Sequence, residues 1–387
     1  MKKVLPLFFG IMFMIGTDTF LISPLLPTLR ELYGVPLEIS GWLVSAYALG
    51  YALFALIAGP VSDGLNRKTV MTWGMAAFGT STFLSGFAPD FWIMIFLRFA
   101  AGVSAAFVTP QVWASIPALV SKERMVKSMG IAAAGLSFSQ MLGLPIGGYL
   151  ASIHWSAPFL ILGVCSFFFV WFIHLVLPDL KPSQKTAGNI LIAARYKMLL
   201  SEPKVFKTFF AYFIFQTGNF AAFSFLGTWL ADDFRLNVSQ IGTAMLILGL
   251  GNVFGSTLGV HVAAKLGKAY SLYAGIAVLA VLYVILSQTT RISLFEAIFF
   301  VMFFMTGMIF TLMMSLLQSS APQARGTIAS LANSCMYIGQ TAGASAAGLL
   351  YSQFGGFFAV ALFTAVLYLF SMLLFKNSRI LARSKPA

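Results

Sequence analysis

Charge is what this sequence has least of. Only 9% of its 387 residues are Asp, Glu, Lys or Arg, where a soluble globular chain carries about 25%. No soluble fold of this length could cover its surface with so few. With 59% hydrophobic residues, the chain reads as an integral membrane protein. Cysteine is nearly missing as well. Cys165 and Cys335 both lie inside apolar runs, which excludes a disulfide framework. The three histidines, His154, His174 and His261, are too scattered to build a metal site. No glycine loop leads into Gly-Lys-Ser or Gly-Lys-Thr, so ATP is not the energy source and no cofactor is expected. The loops hold no His/Asp or paired-carboxylate cluster suited to catalysis. The adjacent acids Asp232 and Asp233 read as a solvated helix end. No catalytic residue is therefore assigned, and a multi-span membrane enzyme stays a lower alternative. The net charge of +13 does not point to nucleic acid either, because the bases are scattered between apolar runs instead of gathered on one face.

What is present is hydrophobic length. A bilayer-spanning helix takes about 20 apolar residues, and breaks of charge, proline and glycine divide the chain into twelve such stretches. The first six lie near 4–28, 38–60, 69–88, 91–117, 128–150 and 157–178. The second six lie near 206–230, 238–262, 269–288, 292–317, 326–351 and 356–375. The apolar stretch after Met1-Lys2-Lys3 runs to about Pro27 without an Ala-x-Ala-like site, so it is expected to stay as the first span. The polar interruption at 179–205 reads as a linker between an N-terminal bundle, 1–178, and a C-terminal bundle, 206–387. With both termini on the cytoplasmic side, all but four of the 24 basic residues fall on that side. The exceptions are Arg30, Arg235 and Arg291 outside and Arg98 within a span. Such a bias predicts a cell membrane protein, in a bacterial inner or plasma membrane, with an even number of spans.

The two halves echo each other about 200 residues apart. Thr17, Phe20, Leu26, Thr28, Gly59 and Lys68 meet Thr217, Phe220, Leu226, Thr228, Gly259 and Lys268, and Arg124 is answered by Arg325. A duplicated six-helix unit is the architecture of carriers that bind substrate near the bilayer midplane.

Three motifs carry more specific information. Between the second and third spans stands Gly59-x-x-x-Asp63-x-x-Asn66-Arg67-Lys68. Gly59 allows close helix approach, Asp63 suits the positive end of a facing helix, and Arg67 and Lys68 supply counter-charges. The fourth span carries Leu97-Arg98-x-x-x-Gly102, and the fifth Gly143-Leu144-Pro145-Ile146-Gly147-Gly148. Pro145 removes a helix hydrogen bond and kinks the span, while the glycines permit tight packing. An arginine inside a span costs about 3 kcal/mol on insertion scales unless paired. Asp18, at similar depth in the first span, is its expected partner and the leading proton carrier. Glu296, about four residues into the tenth span, is a second candidate that can snorkel to the outer interface.

Together these motifs resemble the major facilitator superfamily over essentially the whole chain, and most of all its twelve-helix drug–proton antiporters. The first motif is similar to the family's loop signature, with Gly64 where a base is usual and Asn66 where a glycine is usual. Asn tolerates a left-handed turn, so the turn is expected to survive that exchange. The resemblance implies that Gly59, Asp63, Arg67 and Lys68 latch the cytoplasmic side. It also implies that Arg98 serves proton coupling, and that the Gly/Pro run, with proline shifted one position, marks an antiporter. Its implied fold is all-α: twelve transmembrane helices in two pseudo-symmetric six-helix bundles around a central cavity.

Polar residues at helical spacing are candidates for that cavity. Gln216 and Asn219 share one face, as do Asn333, Tyr337 and Gln340. Thr109, Gln111, Gln140 and Asn252 show no clear pattern, and each polar residue taken singly also reads as interhelical glue. Phe20, Phe107, Phe220 and Phe223 lie on helices the implied fold places centrally and suggest an apolar lining. The expected function is a proton-coupled exporter of small amphiphilic or drug-like molecules. A dedicated sugar, nucleoside or lipid-like metabolite exporter is the alternative within transport. The expected partners are a small-molecule substrate, protons and the lipid bilayer, with the chain acting as a monomer.

Overall fold

The computed structural model of the chain describes residues 4–63, 65–120, 122–180, 196–197, 199–320 and 325–378. All regular structure among them is helical. In order, the helices are α1 (Val4–Tyr33), α2 (Leu37–Ser40), α3 (Trp42–Asp63), α4 (Arg67–Ser85), α5 (Phe91–Leu119), α6 (Lys122–Phe138), α7 (Leu144–Ile153) and α8 (Ala157–Val176). A π-helical turn, Ser139–Gly143, joins α6 to α7. The series continues with α9 (Pro203–Phe234), α10 (Val238–Thr257), α11 (Gly259–Leu266), α12 (Lys268–Leu286), α13 (Ile292–Ser320), α14 (Arg325–Phe354) and α15 (Phe357–Ser378).

Local chemistry sets the helix ends. Asp90 caps α5 by accepting from the backbone N–H of Trp92 at 2.8 Å and of Ile93 at 2.9 Å. Gly34, with φ 59°, closes α1. Arg235 ends α9 in the left-handed region with φ 57°, the one non-glycine residue to do so among those described.

Ten helical stretches among the described residues are long and apolar enough to cross a membrane. The sequence reading expects twelve, and the two that fall short are α4 and α14. The reason is composition. Helix α4 opens on Arg67-Lys68 and is threaded with Thr and Ser, while α14 is rich in Gly, Ala and Ser and carries Asn333 and Gln340. Helices of that kind pack against other helices, where small residues let backbones approach.

The chain divides into two compact units. The first comprises Met1–Pro36, Trp42–Asn189 and Leu236–Leu246; the second comprises Leu37–Gly41, Ile190–Arg235 and Ile247–Ala387. Most of the expected linker, 181–195, lies outside the described residues.

Within the first unit, α3 and α5 touch backbone to backbone. A Cβ on Gly50 would strike the Phe99 carbonyl, and one on Gly102 would strike the Tyr47 carbonyl. The second unit repeats the first of these contacts about 200 residues on: a Cβ on Gly251 would meet the Phe300 carbonyl at 2.7 Å. The internal repeat is thus a repeat of packing as well as of letters.

Candidate functional site

Asp18 and Arg98 come together inside the first unit. Both are completely buried, Asp18 on α1 and Arg98 on α5. Arg98 Nη1 donates to both carboxylate oxygens of Asp18 at 2.8 Å, and Nη2 donates to the Asp18 backbone carbonyl at 3.0 Å. A buried pair of this kind contributes little net stability, yet breaking it by removing one partner is strongly destabilising, by about 3–5 kcal/mol. The guanidinium also lies over the ring of Tyr47 on α3, 4.8 Å from its centroid. The Tyr47 hydroxyl is hydrogen-bonded at 3.1 Å to that of Thr19, which also donates to the Ile15 carbonyl at 2.7 Å. From α4, Thr82 turns its hydroxyl toward the Asp18 carboxylate without closing a hydrogen bond. Tyr47, Thr19 and Thr82 were not legible as site residues, since none stands in a motif. The only hint was Gly102, four residues after Arg98, which announces a close neighbour without saying which helix supplies it.

Glu296, on α13 in the second unit, is half-buried. Its neighbour Phe295 is fully buried among Phe299, Phe234 and Trp229, with centroids 4.8–5.7 Å away. Where the first unit has Asp18, the second has Gly218, whose carbonyl accepts from Thr364 at 3.1 Å. The second unit's equivalent site is therefore neutral.

The fifth-span motif packs against α1 at the residues on either side of Asp18. A Cβ on Gly143 would strike Thr17, one on Gly147 would strike Leu21, and one on Gly16 would strike Ser139. Gly148 faces the Val238 carbonyl and Gly242 at 2.7 and 3.0 Å. Pro145 has no N–H to return to Met141. The chain accommodates this by winding wider over Ser139–Gly143 and resumes a regular helix at Leu144.

At the loop motif, Arg67 and Lys68 open α4. Gly59 and Asp63 fall on the last turns of α3, with the Asp63 side chain outside the described residues, as is Gly64. Asn66 corrects the expectation of a left-handed turn. Its φ and ψ are −68° and 117°, an extended conformation. Its Oδ1 caps α4 by accepting from Lys68 N–H at 3.1 Å and also accepts from Leu180 N–H at 3.2 Å. Its Nδ2 donates to Asp179 at 2.9 Å. An asparagine does here what glycine could not, tying the turn to the chain segment that follows α8.

Among the polar candidates, Gln216 donates to Tyr212 at 2.9 Å within α9. Asn219 accepts from Tyr368 on α15 at 3.2 Å, beside a further bond from Ser371 to the Ala211 carbonyl at 2.7 Å. On α14, Tyr337 and Gln340 are buried and Asn333 is half-buried. Among the described residues, neither the oxygen nor the nitrogen of the Gln340 amide has a hydrogen-bond partner. Phe220 packs edge-on against Phe223 at 6.4 Å, and Phe20 and Phe107 are half-buried. Asp232 and Asp233 are exposed, and each accepts from an aromatic donor, Tyr351 at 3.0 Å and Trp229 at 2.8 Å. Among the described residues, no three His, Cys, Asp or Glu cluster closely enough to hold a metal ion.

Apolar helices of membrane-spanning length around a sequestered ion pair define a polytopic membrane carrier. Comparison with known proteins supplies the family. Residues 8–344 and 208–386 match the Major Facilitator Superfamily. The chain is 56% identical over 371 residues to the uncharacterized MFS-type transporter YceJ of Bacillus subtilis (strain 168), covering 96% of this chain and 95% of that protein. It is 25% identical over 275 residues to the quinolone resistance protein NorA of Staphylococcus aureus (strain MRSA252), covering 70% and 68%. Among solved structures, a bacterial homolog of the human lysosomal transporter Spinster matches with a TM-score of 0.83 at 15% identity, covering 100% of this chain and 98% of that one. A D-xylose–proton symporter matches with a TM-score of 0.76 at 14% identity, covering 95% and 96%. Those two likenesses establish the fold alone. The chain belongs to the Major Facilitator Superfamily. It is a multi-pass secondary transporter of small molecules and not an enzyme.

Proposed function

We propose that the protein is a proton-coupled antiporter that exports small amphiphilic molecules by alternating access. The observation that carries this reading is the buried Asp18–Arg98 pair. An acid sequestered with a single counter-charge is a group whose protonation changes the local charge balance and can bias one conformation over another. The similarity to the quinolone resistance protein supports a drug-like cargo. On this reading Gln340, buried with an unmet amide, is the first candidate on α14 for a polar contact with cargo. Gln216, Asn219, Asn333, Tyr337, Phe20 and Phe220 are the further candidates, and Glu296 is the alternative proton carrier. The distribution of basic residues supports a bacterial plasma membrane location with both termini cytoplasmic.

The test uses everted membrane vesicles acidified inside. Addition of a quinolone or of ethidium to vesicles holding the unaltered protein is expected to release protons. Vesicles with equal amounts of Asp18→Asn are expected to release none. Equal release by the two proteins would remove Asp18 from the coupling step.

A further inference from the structure

Arg98 is held in three ways, and they do not respond alike to a proton on Asp18. The two 2.8 Å bonds to the carboxylate draw their strength from its negative charge and lose most of it when the acid is neutral. The 3.0 Å bond to the Asp18 carbonyl and the contact with the Tyr47 ring do not depend on that charge. An unpaired cation in this interior is costly, and an arginine cannot shed its proton to relieve the cost. Something must therefore hold the guanidinium whenever Asp18 is protonated.

We propose that Tyr47 is a positioning residue whose ring keeps Arg98 in place at the α1–α5 contact while Asp18 is neutral. The ring presents its negative face to the cation at a centroid distance of 4.8 Å. Its aim is fixed from both sides. Toward α5, the Tyr47 backbone is seated against Gly102, where any Cβ would strike the Tyr47 carbonyl. Toward α1, the Tyr47 hydroxyl is hydrogen-bonded to Thr19, the residue next to Asp18. One α3 side chain thus touches both helices that carry the ion pair. The spacing Arg98-x-x-x-Gly102 acquires a reason: the glycine opens, one turn along, the space that lets α3 bring an aromatic ring over the arginine. The groups that face Asp18 from α3, α4 and α5 are Tyr47, Thr82 and Arg98.

The proposal rests on the reading of Asp18 as the proton acceptor, but its test needs no transport. Thermal unfolding of the purified full-length protein in detergent is compared across a double-mutant cycle. Asp18→Asn stands in for the protonated acid. The drop in Tm caused by Tyr47→Leu is expected to be at least about twofold larger in the Asp18→Asn background than in the unaltered chain, and Tyr47→Phe is expected to restore most of it. Equal drops in both backgrounds would overturn the proposal, since a ring that only fills space is missed equally in either. Fluorinated phenylalanines at position 47 keep the shape while draining the ring's negative face, and they cover the case in which Tyr47→Leu does not fold. In the Asp18→Asn background, Tm is expected to fall stepwise with each added fluorine, and a flat series would overturn the assignment. Should Asp18→Asn not fold, the same series is read in the unaltered chain as pH is lowered, where the steps are expected to steepen and an unchanging slope would overturn it. Because no cargo is involved, failure of proton exchange would count against antiport and leave this result standing.

Discussion

Arg98 directs one guanidinium nitrogen to both carboxylate oxygens of Asp18 and the other to the backbone carbonyl of the same residue. The arginine therefore fixes the Asp18 backbone as well as its charge. Asp18→Ala or Arg98→Ala alone leaves one fully buried charge uncompensated. Each is expected to cost about 3–5 kcal/mol, while the double variant loses markedly less than the sum. Thermal unfolding in detergent reads the cycle, and strict additivity would show that the two residues are not energetically paired.

Glycines test the close helix contacts. Gly102→Val places a branched side chain against the Tyr47 backbone, and the forced separation of α3 from α5 is expected to cost about 1–3 kcal/mol. Gly130, exposed on α6, has nothing within 4 Å of a Cβ. There Gly130→Ala is expected to be neutral or to stabilise by up to about 1 kcal/mol. Similar Tm losses for the two variants would contradict the contact at Gly102.

Asn66 makes a local prediction. In Asn66→Gly the cap weakens by only a few tenths of a kcal/mol, but the bonds to Leu180 and Asp179 vanish. Hydrogen–deuterium exchange is expected to accelerate at Leu180, with the middle of α4 unchanged. Unaltered exchange at Leu180 would mean that the tie does not persist in solution.

The second unit separates glue from unmet polarity. Tyr368→Phe removes the donor to Asn219 and is expected to cost about 0.6 kcal/mol, the average for such bonds between membrane helices. Gln340→Leu does the opposite, replacing a buried amide that has no partner, and is expected to stabilise by about 1–3 kcal/mol. On the proposed function it also reduces transport. A fall in Tm for Gln340→Leu would point to a bond the amide makes in another conformation.

Much of this was legible in the residues themselves. Charge depletion and the spacing of apolar runs required a membrane helix bundle, because a span must satisfy its backbone internally and needs about 20 apolar residues to do so. The same scarcity made Asp18 and Arg98 conspicuous, since an ionised group at that depth demands a partner. The duplication was visible at a separation of about 200 residues, and the repeated glycine contact of α3 with α5 and of α10 with α13 gives it a packing basis. Two of the expected spans, α4 and α14, fall short of the hydropathy of a membrane span, because helix-facing surfaces need not be greasy.

Tertiary structure decided the rest. Tyr47 and Thr19 belong to the site only because α3 crosses α5 at Gly102, a juxtaposition that local sequence does not encode. Asn66 looked like a tolerated stand-in for glycine until Asp179 and Leu180, more than 110 residues away, were brought within reach of its amide. Gln216 and Asn219 share a face in any helix, and Tyr212 lies one turn from Gln216 on the same helix, but the partner of Asn219 depends on where Tyr368 of α15 falls. The sequence by itself determined that Asp18 and Arg98 would fall inside apolar spans, because hydrophobic periodicity and charge are properties of the chain. Their pairing, and the ring laid over the guanidinium, came from helix packing, because a hydrogen bond or a cation–ring contact exists only at a few ångströms and packing alone sets distances that short.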